Sequence, residues 1–308
     1  MFSKKLLIPL LSLSLLVTPA YSSHAAENAE AAGTSVEGQG MLSPSSSSES
    51  SESVFNGSGA GTSSEPVTDE KPETILKQVQ SQLPAENGTW AVFISDLVNG
   101  TEGSLNDQKM QAASLIKLYI MGAVYENYDQ ITGQYGRDSV DSNLYSMITV
   151  SDNDAANTLT TYLGGGDSAA GMQAVNSFCQ AHGYDQTHMG RMLLASNEND
   201  DNYTSVGDCG HLLQEIYKQD TSGYTHAADM FNLLKAQTRC NKIPAQLPEG
   251  VKTANKTGEL DNVENDAGII YDSKNDVVIV FMSQNLSSAG SAQNTIAALS
   301  RTIYDYYN

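Results

Sequence analysis

The strongest constraint on this chain is an abrupt change of composition near residue 70. Between about residues 27 and 70 apolar side chains are sparse: 45–53 is nearly all serine and glutamate, and 57–64 is rich in glycine and serine. Such a segment buries too little apolar surface to offset the entropy of ordering it. Residues 26–71 therefore read as a disordered Ser/Glu/Gly-rich linker, a flexible tether of a kind suited to spacing a domain through a cell wall. Whatever folds must lie in 72–308, a stretch of 237 residues that is long enough for one sizeable core.

Ahead of the linker, Lys4 and Lys5 precede a twelve-residue run, 6–17, that is apolar apart from serines and Pro9, and Ser23-His24-Ala25 offers a small-x-small cleavage site. Residues 1–25 are read as a signal peptide. The alternative, a short membrane anchor, conflicts with the roughly 20 apolar residues a spanning helix needs. The mature protein is expected outside the cell, without a membrane span, and as a monomer. The net charge is −20, and loss of the two signal lysines leaves 14 basic against 36 acidic residues, near −22. A surface this acidic repels phosphate backbones and anionic lipid, so no nucleic-acid partner is expected. The five histidines (His24, His182, His188, His211, His226) show no ligand spacing with the three cysteines, so neither a metal nor another cofactor is expected. Among those cysteines, Cys209 with Cys240 is the preferred disulfide, the alternative being three buried thiols with Cys179.

Within the folding part, 72–83 has helical spacing, with Ile75, Leu76, Val79 and Leu83 on one face. Residues 90–97 read as a strand, followed by the hairpin turn signal Asn99-Gly100. Helices are predicted over 114–127, 154–163, 169–182, 206–218 and 227–237, strands over 250–256, 267–271 and 277–283, and a closing helix over 292–306. Strands at the two ends of the domain would each form only a marginal hairpin alone. Pairing them into one antiparallel sheet gives an α/β (α+β) sandwich, with the first and last helices on one face and an all-helical subdomain on the other. A cleft is then expected where the helical block meets the sheet edge.

Three polar motifs stand out against this frame. Ser114-Leu115-Ile116-Lys117 opens an apolar helix, and residues three apart share a helix face, so the Lys117 amine can reach the Ser114 hydroxyl. A serine is a poor nucleophile until a base takes its proton, and a lysine serves only where burial or adjacent positive charge lowers its pKa. Ser151-Asp152-Asn153 precedes the next helix. Ser151 has a hydroxyl suited to passing a proton to a leaving nitrogen, and Asn153 an amide suited to holding a substrate amide. Lys256-Thr257-Gly258 is predicted at the end of a strand. There a cation beside a hydroxyl could hold a carboxylate and help keep Lys117 neutral, while Gly258 lets a substrate lie close along the edge. Read singly, these are equally an exposed helix pair, an N-cap and an edge-strand lysine.

Taken together and in this order, the motifs resemble those of the class A β-lactamases and their penicillin-binding relatives. The segments 112–118, 150–157, 255–260 and Lys242-Ile243-Pro244 are similar to that family's, and the resemblance spans about 72–308. It implies a five-stranded antiparallel sheet of the β-lactamase/transpeptidase type, Ser114 as nucleophile, Lys117 and Ser151 as proton carriers, and a substrate site at Asn153, Lys256, Thr257, Gly258 and Glu259. It also implies an oxyanion hole formed by the backbone N–H groups of Ser114 and Glu259.

The chain departs from the family in one loop. Class A enzymes place a water-activating glutamate on a loop that corresponds here to 191–201, with Arg191 and Asp201 placed to close its neck by an ion pair. Counting from Arg191, the glutamate's place holds Leu193, and the asparagine four residues on is Asn197. A leucine is no general base, so the acyl-enzyme is expected to form and to clear slowly unless Glu198 or Asp200 substitutes from a displaced loop. Three readings remain: a serine hydrolase acting on β-lactams, a D-alanyl-D-alanine peptidase acting on cell-wall peptides, and a non-enzymatic binding or sensing module that is acylated by β-lactams.

Overall fold

The structure, a computed structural model, describes residues 72–308, so the signal-peptide and linker assignments lie outside the described residues. The domain is organised by a strand with two apolar faces. β1 (Thr89–Asp96) points Ala91 and Phe93 to one side and Trp90, Val92 and Ile94 to the other, and both sets are buried. The same alternation runs through β7 (Val277–Gln284), where Val278, Val280 and Met282 oppose Val277, Ile279 and Phe281. Period-2 side-chain geometry thus supplies two cores from one strand. With β2 (Thr101–Leu105), β5 (Lys252–Leu260) and β6 (Val263–Tyr271) these form a five-stranded antiparallel sheet of order β2-β1-β7-β6-β5, while β3 (Met110–Gln111) and β4 (Tyr203–Thr204) pair as a separate two-stranded ribbon. The β1–β2 turn closes on Gly100 at φ +67°, with Asp96 accepting the N–H groups of Val98 and Asn99.

One face packs against α1 (Pro72–Gln82) and α9 (Ala289–Tyr307) through Ile75, Val79, Ile296 and Ile303. The other packs against the helical block. At its centre lies α2 (Ile116–Glu126), whose residues 116–125 are all buried, as expected of a helix apolar on every side. Around it stand α5 (Asn153–Leu163), α6 (Ser168–Ala181), α7 (Val206–Tyr217) and α8 (Ala227–Lys235). Among the described residues no helix is long and apolar enough to cross a membrane.

The expected sandwich is therefore observed, with differences in two helices, in the extent of two strands and in the cysteines. Two helices of the block were not predicted, α3 (Tyr128–Tyr135) and α4 (Arg137–Thr149). In α4, Val140, Leu144, Met147 and Ile148 are buried at helical spacing, but Asp, Ser and Asn between them are weak helix formers and dilute the signal. β5 and β6 are also longer than predicted, so Lys256-Thr257-Gly258 lies inside β5 and not at its end. The start of β6, Glu264-Asn265-Asp266, is polar yet buried, and a strand of that kind carries no apolar alternation to read. Finally, no disulfide forms. Cys209 is fully buried on α7 beside the Tyr119 hydroxyl, Cys240 is exposed on a loop, and all three thiols are free.

Candidate active site

Ser114 sits in a single 3₁₀ turn, Ala113–Leu115, that leads into the N-terminus of α2. The preceding Ala113 is held at φ +47°, a left-handed conformation that costs a non-glycine residue about 1–3 kcal/mol. Its neighbours over-determine it. The Asn265 amide donates to the carbonyls of Gln111 (2.9 Å) and Ala112 (3.2 Å), and the Ala112 N–H donates to Asn202 O. Gly258 of β5 passes so close that a Cβ there would lie 2.9 Å from Ala112 O and 3.3 Å from Leu115 N. The glycine was expected to admit a substrate; what approaches it is the backbone of the Ser114 turn.

Lys117 is one helical turn further on, fully buried, and its Nζ has four neighbours. These are Ser151 O and Asn153 Oδ1, both at 2.7 Å, and the hydroxyls of Ser114 and Ser151, both at 3.1 Å. The first two can only accept, so a neutral amine gives them its two protons and turns its lone pair toward a serine hydroxyl. Burial pushes the Lys117 pKa down to about 8, and the positive charge of Arg239 adds to this while Asp152 opposes it. The amine can therefore exist as a base near neutral pH, which an exposed lysine cannot.

Ser151 is presented from a left-handed residue, φ +61°, between α4 and α5. Asp152 caps α5 by accepting the Ala155 N–H at 2.8 Å, so the helix-cap role of this motif is real and coexists with the others. Lys256 reaches Ser151 Oγ at 2.8 Å and Thr257 O at 2.7 Å from a fully buried position, and its pKa is driven well down by burial first and by Lys117 and Arg239 next. It stands behind Ser151, with its amine turned to that hydroxyl. Arg239 is a further cation whose field acts on Lys117, and Lys117 and Lys256 repel each other.

The cleft in front of Ser114 has a volume of about 520 Å³. Asn153 and Glu259 line it, and the 191–201 loop forms its opposite wall through Leu193, Leu194 and Asn197. Arg191 and Asp201 close the loop's neck at 2.6 Å, as anticipated. The Asn157 side chain clamps Leu193 on both sides, accepting its N–H at 2.8 Å and donating to its carbonyl at 3.0 Å. Asp200 is instead bound to His188 at 2.7 Å, and Glu198 is exposed; neither is among the residues lining the cleft. Among the described residues no group of histidine, cysteine and carboxylate side chains is arranged to hold a metal.

Three supporting residues, Glu264, Asp266 and Arg239, were not singled out from sequence. With Lys242, from the family-like segment 242–244, they form a charged layer behind the cleft. Lys242 is fully buried, 2.7 Å from Glu264 and 3.0 Å from Glu259, and Arg239 is 2.8 Å from Glu259. Asp266 accepts from Asn255 and from the Ile243 N–H, and burial raises its pKa to about 6. The signals for this layer in the sequence were the family-like Lys242-Ile243-Pro244 and the run of polar residues interrupting a strand pattern.

A sheet flanked by helices thus carries a chain of contacts from Ser114 through Lys117 and Ser151 to Lys256 at the head of one cleft. The description "Beta-lactamase enzyme family" matches residues 74–136 and 136–307, and the chain belongs to that family. No curated protein matches the sequence significantly. Among solved structures the chain resembles PBP-A (TM-score 0.67, 22% identity, covering 77% of this chain and 97% of that one), which has also been seen as an acyl-enzyme complex with penicillin-G in a leucine-to-glutamate mutant. It also resembles a β-lactamase from Sphaerobacter thermophilus DSM 20745 (0.64, 21%, 76% and 97%) and an ancestral class A β-lactamase (0.65, 20%, 76% and 100%). At these identities the likeness establishes the fold.

Proposed function

We propose that the protein is an exported serine hydrolase that is acylated by β-lactams on Ser114 and releases the acyl group slowly. The observation that carries this reading is the contact of Lys117 Nζ with both serine hydroxyls at 3.1 Å. Neutral Lys117 accepts the Ser114 proton as Oγ attacks the amide carbonyl, and the developing oxyanion is met by the backbone N–H groups of Ser114 and Glu259 at the start of α2 and the edge of β5. The proton then passes from Lys117 to Ser151 and on to the leaving nitrogen, with Lys256 donating to Ser151 Oγ to steady the relay. The Asn153 side chain is the proposed holder of the substrate amide, while Lys256, Thr257 and Gly258 set the strand edge along which it lies. Water is a poor second nucleophile here because the loop offers Leu193 where a base is needed.

A second reading has support from that same leucine and from the likeness to PBP-A: a D-alanyl-D-alanine peptidase for which β-lactams are mimics of the natural cell-wall substrate. The test uses the full chain with a chromogenic cephalosporin, a fluorescent penicillin and a D-Ala-D-Ala peptide. A penicillin adduct that lasts many minutes, absent from Ser114→Ala, is the expected result. Rapid colour development without an adduct would overturn slow release. No adduct and no turnover with either β-lactam would overturn the β-lactam reading, and the peptide arm then decides for or against the peptidase.

A further inference from the structure

The residues 237–239 tie two parts of the site together. Gln237 Nε2 donates to Ile148 O at 2.9 Å, the Thr238 N–H and hydroxyl both donate to Thr149 O, and Arg239 Nη2 donates to Val150 O at 3.4 Å. These are the last carbonyls of α4, which have no partner within the helix, and Ser151 follows them directly. On its other side Arg239 is held by Glu259, Glu259 by Lys242, and Lys242 by Glu264, whose second oxygen accepts from Gln293 of α9 at 2.8 Å. Lys242 and Glu264 are fully or almost fully buried, so the anchor of this chain is rigid, while its far end at Arg239 is 44% exposed.

We propose that Arg239 is a positioning residue for acylation: an ion chain anchored in the sheet holds its guanidinium between β5 and the Ser151 turn, on the carbonyl of Val150 and so one residue from the Ser151 oxygens that Lys117 touches. The inference rests on the reading of Lys117 as the base for Ser114. The charged groups facing Lys117 are Asp152 at the start of α5, Lys256 on β5 and Arg239 from the 237–239 segment. Asp152 favours the ammonium form, and Arg239 opposes it. Glu259 plays a double part, presenting a backbone N–H to the cleft and, through its carboxylate, orienting the cation that keeps the base neutral.

The experiment compares the full chain with Arg239→Gln and Arg239→Lys, chosen because the side chain is partly exposed and its loss leaves the buried Lys242–Glu264 pair intact. The first measurement is the titration midpoint of Lys117 by carbon-13 NMR of labelled lysine, assigned with Lys117→Ala, and it needs no substrate. The second is the rate of labelling by a fluorescent penicillin across pH 6–9. In Arg239→Gln the midpoint is expected to rise and labelling at pH 7 to fall by the matching factor, tenfold for each unit of rise, because one unit is a tenfold change in the neutral fraction. Arg239→Lys, which keeps the charge, should hold the wild-type midpoint and most of the rate. An unchanged midpoint in Arg239→Gln overturns the proposal, even if the rate drops, since a merely structural role would slow labelling without moving the titration. If the wild-type protein forms no penicillin adduct, the proposed function fails by itself, and the NMR comparison still decides the role of Arg239.

Discussion

The two walls of the cleft are built in opposite ways. On the side of α2, the Ser151 turn and β5, polar atoms are packed at hydrogen-bonding distance, and two lysines are buried completely. The 191–201 wall is closed by one ion pair and presents Leu193 and Leu194 to the cleft, with Leu194 75% exposed at φ +67°. Burying charged groups is costly unless they are paired and hydrogen-bonded, so the first wall persists only because each group has partners. The second wall bears no such constraint, and a leucine there is stable. The contrast teaches that, under the proposed function, attack on a carbonyl and release by water place demands on separate surfaces, of which the first is the more polar.

Removing the base from the polar wall is the largest expected effect. Lys117→Ala should slow penicillin labelling about 10³-fold, within the 10²–10⁴ range of general-base catalysis, as read by intact-protein mass against time. A loss of less than tenfold would mean that another group deprotonates Ser114. Giving the apolar wall a base is next. Leu193→Glu should speed clearance of the adduct about 100-fold, because Asn157 already holds that backbone position on both sides. Unchanged clearance would show that Asn197 and the loop do not place water near the ester, and the contrast between the walls would lose its functional meaning. The smallest effect is that of pH. The proposed role needs a neutral Lys117, and its pKa is lowered to about 8, so labelling should rise with pH through that value and level off above it. Between pH 6 and pH 8 the gain is some tens of fold by simple titration. A rate independent of pH from 6 to 9 would assign the proton transfer to a different group.

Much of this was legible in advance because it is local. The i,i+3 spacing of Ser114 and Lys117 survives folding since helical geometry alone brings them together, and the Ser-Asp-Asn segment reads as a cap because Asp152 does cap α5. The loop neck was readable from the opposite charges of Arg191 and Asp201, and the place of Leu193 from its distance along the chain to Arg191. The charged layer was not readable. Glu264 and Asp266 look like solvent-facing residues until their partners Lys242, Gln293, Asn255 and the Ile243 N–H are supplied from elsewhere in the sequence. Cys209 and Cys240 likewise looked like a pair until one was buried in the helical block and the other left on a loop.

The sequence by itself determined which stretches read as helices and strands and which serine stands one helical turn from a lysine, since each depends only on the fixed repeat of a helix or strand. Tertiary structure alone decided that Arg239 joins Lys256 in facing Lys117, why Lys256 lies behind Ser151, and why Gly258 must be small. Those depend on the meeting of segments more than 100 residues apart, and electrostatic fields and close backbone contacts exist only once such segments are held in place.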